Sequence, residues 1–230
     1  MPRSQWGTPI LCVHGAIGSA DTWNAEGVAA SSGALGGRPR ALAGYSRRGL
    51  GRSDAPPQGY GLDDFVTDLA AVAEELAYPR FVLLAHSLGV PSAIVYAARH
   101  PAGVAGLVLG DFGPRYPALS AQWLIRVEER HRRETEAGES SFRIEPMRAM
   151  QRESRATSLD DELTRITCPV RVVTGDRPDV LLTPDDRARY ERGLADVRVV
   201  TIAGAGHDLE VDGRPDAFYA VLNDVLARVD

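Results

Sequence analysis

Six short apolar runs punctuate the chain, at residues 10–13, 41–45, 81–85, 105–109, 170–174 and 197–202. Each is continuous rather than alternating, and each is bounded by glycine, proline or polar residues. Strands covered on both faces of a parallel sheet have this pattern. Helical periodicity fills the gaps. Residues 62–77 place Phe65, Leu69, Val72 and Leu76 at three- and four-residue spacing, with Asp63 and Asp64 near the start, where acidic side chains suit the positive end of a helix. Residues 89–100 are small and apolar, and 218–229 close the chain with an amphipathic pattern. The alternation predicts an α/β fold with a doubly wound, mostly parallel sheet of about six strands, whose ligands sit at the strands' carboxyl ends.

Residues 112–167 break this alternation. They show no strand pattern and are helical and charge-rich at 119–135 and 144–155, with ten arginines balanced by ten acidic residues. We read them as a small helical cap inserted into a core made of 1–111 and 168–230, within a single domain. A length of 230 residues, with 44% hydrophobic and 25% charged residues, is ordinary for one soluble domain able to bury its own core. The net charge of −5 argues against a nucleic-acid binder and gives no reason to expect a membrane partner. All 26 basic residues are arginine, a skew that codon bias explains without any functional demand. Cys12 and Cys168 lie far apart, with no histidine at ligand spacing, so neither a metal site nor a redox pair is expected. The first residues lack the apolar core of a signal peptide, and nowhere do about 18 apolar residues run together. The expected setting is the cytoplasm, and nothing in the sequence bears on oligomeric state.

Candidate chemistry centres on Ser87. The segment Ala85-His86-Ser87-Leu88-Gly89 joins a predicted strand to a predicted helix. A serine at such a tight turn has its hydroxyl held clear of the sheet, and small neighbours two residues either side let the two backbones approach. The helix start behind it offers free amides to a developing oxyanion. His14-Gly15-Ala16-Ile17-Gly18 follows the first strand. There the amides of Ala16 and Leu88 would form a two-donor oxyanion hole, and His14 would shape the loop. Of the five histidines, His207, on the glycine-flexed loop after the last strand, is the expected general base. His100 and His131 have surface-helix patterns, and His86 adjoins the serine on the wrong side. An acid should orient His207, and Asp111, Asp176 and Asp179 compete for that role.

With these residues in hand, the chain resembles the α/β-hydrolases over nearly its whole length. The resemblance rests on H-G-A-I-G at 14–18, R-R-G-L-G-R-S-D at 47–54, A-H-S-L-G at 85–89, G-D-F-G-P at 110–114 and G-A-G-H at 204–207. The glycine-rich loop at 47–54 lacks the third glycine of a dinucleotide fingerprint and is a scaffold loop in that family. The resemblance implies a serine hydrolase, carboxylesterase-like, that cleaves an ester-type bond of a small molecule through an acyl-enzyme and needs no metal or organic cofactor. It favours Asp179 as the acid, one residue beyond the family's usual spacing, with Asp176 and Asp111 as rivals. Ala85 stands where the family usually has glycine, and the family's opening antiparallel strand pair has no counterpart. Ile17, Trp23, Phe112, Tyr116 and Trp123 are expected to line an apolar pocket. Arg115 would meet a substrate carboxylate or pair with Asp111. Two alternatives accompany this reading: a C–C bond hydrolase, lyase or cyclase using the same triad, and a non-catalytic ligand-binding protein.

Overall fold

The structure, a computed structural model, describes residues 6–23, 38–139, 141–212 and 215–230. In chain order its elements are β1 (Ile10–Val13), β2 (Leu42–Tyr45), α1 (Leu62–Leu76), β3 (Phe81–His86), α2 (Val90–Arg99) and β4 (Val104–Gly110). Then come β5 (Arg115–Tyr116), α3 (Ala121–Glu136), α4 (Ile144–Glu153), β6 (Thr157–Ser158) and α5 (Asp160–Leu163). The chain ends with β7 (Val170–Gly175), α6 (Pro184–Gly193), β8 (Val197–Ile202) and α7 (Asp216–Val229). All six predicted strands form.

Those six strands make one sheet, in the order β2-β1-β3-β4-β7-β8, and every neighbouring pair is parallel. The order reverses between β1 and β3, which opens a crevice at their carboxyl ends. Register places the functional loops there: Ala85 lies opposite Val13 and Leu109, and Gly110 lies opposite Val173. Residues 14, 87, 111 and 176 therefore leave the sheet at nearly the same level.

Side chains along β3 alternate between two apolar clusters. Leu83 and Ala85 join the cluster under α1 and α2, while Val82 and Leu84 join the one under α7. Burial on both faces explains why this strand reads as an unbroken apolar run. Residues 112–167 carry α3, α4, α5 and the antiparallel β5–β6 pair. Their buried Phe112, Tyr116, Val127, Met147 and Met150 are continuous with the first cluster. The Glu153 carboxylate also accepts the amides of Gly59 (2.8 Å) and Tyr60 (2.7 Å), tying this segment to the loop before α1. Arg48 of the glycine-rich loop makes a two-pronged contact with Asp68 of α1, at 2.6 and 2.5 Å. No helix among the described residues is long and apolar enough to cross a membrane.

Candidate active site

Ser87 takes a φ of +52°, in the left-handed region that non-glycine residues occupy only under constraint. The constraint is the sharp passage from β3 through a single 3-10 turn, Ser87–Gly89, into α2. The turn closes because its neighbours are small. A Cβ on Gly89 would come within 2.6 Å of the His14 carbonyl oxygen, and one on Gly15 within 2.8 Å of Ser87 Cβ. Ala85 is fully buried in the ladder, where its methyl is accommodated. Pro91 falls at the start of α2, where a missing amide hydrogen costs nothing.

His207 stands on the loop after β8 and bridges two side chains. Its Nε2 lies 2.9 Å from Ser87 Oγ, and its Nδ1 lies 2.7 Å from Asp111 Oδ2. Nδ1–H therefore donates to the carboxylate, and Nε2 accepts from the serine hydroxyl. Asp111 is fully buried and accepts three further bonds: from the Thr174 hydroxyl (2.7 Å) and from the amides of Leu181 (2.8 Å) and Leu182 (3.2 Å). Burial pushes the Asp111 carboxyl up, but these donors together with His207 outweigh it and hold the group below its ordinary value.

The expectation of Asp179 as the partner of the His207 ring is thereby corrected to Asp111. The rival aspartates hold the histidine loop by its backbone instead. Asp179 Oδ2 accepts the His207 amide at 3.3 Å, and Asp176 Oδ1 accepts the Gly204 amide at 2.8 Å. Spacing along the β7 loop could not reveal this, because the carboxylate facing the ring comes from a different strand. Asp111, at φ +42°, turns sharply after β4 and lies beneath the imidazole. His86 braces the same loop from below, its Nε2–H donating to the His207 carbonyl at 2.7 Å. Burial, followed by the neighbouring His207, brings the His86 pKa down to about 4, so its ring is neutral near pH 7.

The loop after β1 is tied back by its carbonyl. His14 Nδ1–H (3.0 Å) and Arg47 Nη1–H (3.2 Å) both donate to the Gly15 oxygen. The Arg47 amide donates to His14 Nε2 at 3.0 Å, which settles the tautomer. Burial, with the Arg47 charge beside it, drives the His14 pKa down to about 3. In a trans peptide the N–H points opposite to the C=O. Anchoring the Gly15 carbonyl inward thus turns the Ala16 amide the other way. Arg47 itself is buried, its guanidinium 3.9 Å from the centre of the Phe65 ring. Its Nε and Nη2 have no hydrogen-bond partner among the described residues.

A cavity of about 290 Å³ opens in front of Ser87, with Ala16 and Leu88 on its wall. Phe112 and Trp123 line it as expected, joined by Arg115, Leu119, Ser120 and Leu181. The other three expected pocket residues lie elsewhere. Trp23 packs on the opposite face of the sheet, 6.2 Å from the Phe218 ring. Ile17 packs against the first core cluster. Tyr116 points into the core, because strand alternation sends it and its neighbour Arg115 to opposite sides. Arg115 pairs with Asp186, not with Asp111. A larger cavity, about 670 Å³, lies between β8 and α7 but touches none of Ser87, His207 and Asp111.

A profile of the alpha/beta hydrolase family matches residues 10–221. The chain belongs to the alpha/beta hydrolase family. Over 97% of its length it is 29% identical to the provisionally named carbamate hydrolase RutD of Variovorax paradoxus, covering 93% of that protein. Among solved structures it resembles an esterase from Exiguobacterium antarcticum, with a TM-score of 0.77, 19% identity, and 96% and 92% of the two chains covered. E-2-(acetamidomethylene)succinate hydrolase is similar at a TM-score of 0.75 and 22% identity, again covering 96% and 92% of the two chains.

In this alpha/beta hydrolase, the sequence motifs led directly to Ser87, His207 and the loop carrying Ala16. They marked Arg115 as facing either a substrate or Asp111, and it stands on the wall paired with Asp186; Leu181 they missed. Leu181 had no signal at all, since it reaches the cavity only because the β7 loop folds over Asp111. Arg47 was visible as part of the glycine-rich motif, but its contact with the Gly15 carbonyl joins residues 32 positions apart.

Proposed function

We propose that this chain is a serine hydrolase of the carboxylesterase type, acting on an ester-type bond of a small substrate through an acyl-enzyme. The observation that carries the reading is the single imidazole of His207 held between the Ser87 hydroxyl and the buried Asp111 carboxylate. Ser87 Oγ attacks the acyl carbonyl as His207 Nε2 takes its proton. Asp111 orients the ring and stabilises the imidazolium, while remaining ionised itself. The amides of Ala16 and Leu88 receive the oxyanion, a role supported by their position beside Ser87 on the cavity wall. His207 then protonates the leaving group, and water repeats the sequence to release the acid and regenerate Ser87.

The cavity volume of about 290 Å³ suits a compact substrate, at the lower end of the range for small-ligand sites. A cytoplasmic setting belongs to the same proposal, supported by two cysteines that are both buried and free. Covalent labelling with a fluorophosphonate tests the reading. Label on the wild type that is lost in Ser87→Ala, together with p-nitrophenyl acetate turnover lost in His207→Ala, is the expected result. A wild type that neither labels nor turns over short esters overturns it.

A further inference from the structure

The wall of the Ser87 cavity is polarised. Phe112, Pro117, Leu119 and Leu181 supply hydrocarbon, and among the described residues the one charged side chain on the wall is Arg115, about one-third exposed at 34%. Its Nη1 is anchored by the buried carboxylate of Asp186. That carboxylate is fixed in turn by the Thr183 hydroxyl (2.7 Å) and amide (3.1 Å). Arg189 Nη1 also lies 3.5 Å from it, while Arg189 Nε reaches Asp160 at 2.8 Å. Two guanidinium groups thus share Asp186. Arg115 keeps Nε and Nη2 without a hydrogen-bond partner among the described residues. A second source of positive potential meets the same cavity: the 16-residue helix α3 starts at its wall, where Ser120 and Trp123 stand. The N-terminus of a helix carries partial positive charge.

We infer that this pole binds a carboxylate carried by the substrate, so that the preferred substrates are short esters or amides bearing an acid group rather than neutral ones. The inference rests on the serine-hydrolase reading and adds the substrate class. Anchoring by Asp186 holds the guanidinium in place, so little side-chain freedom is lost when an anion binds. The surrounding hydrocarbon strengthens a charge-assisted bond that water would weaken.

The test compares matched neutral and anionic esters. Mono-p-nitrophenyl glutarate against p-nitrophenyl butyrate places the acid on the acyl side, and 4-acetoxybenzoate against phenyl acetate places it on the leaving group. In at least one pair the anionic ester should show a kcat/KM about tenfold or more above its neutral partner. That advantage should shrink as salt rises, fall at least about fivefold in Arg115→Gln, and survive in large part in Arg115→Lys. Equal rates within both pairs, or an advantage unchanged in Arg115→Gln, overturn the inference. The salt titration uses the wild type alone, so it decides the matter even where Arg115→Gln does not fold. Fluorophosphonate labelling separates the two failures. Label on Ser87 without any anionic preference overturns this inference alone. Absence of both label and ester turnover overturns the hydrolase reading, and this inference with it.

Discussion

Asp111 Oδ2 lies 2.7 Å from His207 Nδ1, although 96 positions separate the two residues. The carboxylate reaches the ring from the end of β4, while the loop after β7 supplies the two amides that hold it. Asp111→Asn should therefore lower kcat on p-nitrophenyl acetate by about a thousandfold or more, since an amide in that place disfavours the required tautomer. Asp179→Asn loses only one backbone contact and should cost less than about tenfold. Kinetics of both variants, with circular dichroism to confirm folding, check the ranking. The reverse order would restore Asp179 as the orienting acid.

Arg47 has a measurable job if the Gly15 carbonyl must be held for the Ala16 amide to face the oxyanion. Arg47→Met should reduce kcat by about ten- to a hundredfold while KM changes little, because the lost interaction matters chiefly in the transition state. Arg47→Gln, which keeps an N–H donor, should recover part of the rate. A Met variant that folds and retains full kcat would show that the tie is dispensable.

The left-handed conformation of Ser87 carries a stability cost that glycine escapes. Ser87→Ala and Ser87→Gly should both be inactive. The glycine variant should be the more stable of the two by about 1 kcal/mol, because alanine keeps the Cβ that crowds the following carbonyl at positive φ. Urea unfolding of the pair measures the difference directly. Equal midpoints would mean the turn is not strained.

His14 and His86 set an acid limit on stability. Both are held well below the ordinary histidine value, at about 3 and about 4. As pH falls from 6.5 the unfolded chain takes up protons that the folded protein refuses. Stability therefore declines below pH 6.5 and goes on declining until the folded-state values are reached, by up to about 1.4 kcal/mol per pH unit per histidine. Asp111, also held low, adds a loss in the same direction as pH passes down through the carboxylate range. Urea midpoints measured between pH 7 and 4.5 should fall steadily, and the slope should be shallower in His14→Asn. A flat profile would contradict the neutral state of these rings.

Much of this was legible from local pattern. Continuous apolar runs announced buried parallel strands because β3 and β4 are covered on both faces, and a glycine two residues after Ser87 announced the tight turn because no larger side chain fits beside the His14 carbonyl. Pocket residues were harder. Phe112 and Trp123 reach the cavity, yet Trp23 crosses to the far face of the sheet and Tyr116 points inward. An aromatic residue in a sequence carries no record of the direction its side chain takes.

Residue type and spacing along a single strand or turn were enough to determine the sheet, the serine at its crevice and the histidine beyond the last strand. Those features depend on short-range sterics and on side-chain periodicity, both of which are written locally. Which carboxylate meets His207, which guanidinium anchors the Gly15 peptide and which charge lines the Ser87 cavity were decided only when β1, β4 and β7 came into register. Asp111, Asp176 and Asp179 are chemically the same side chain at the ends of neighbouring strands. Only the three-dimensional packing, which buries Asp111 and leaves the other two to hold a loop, tells them apart.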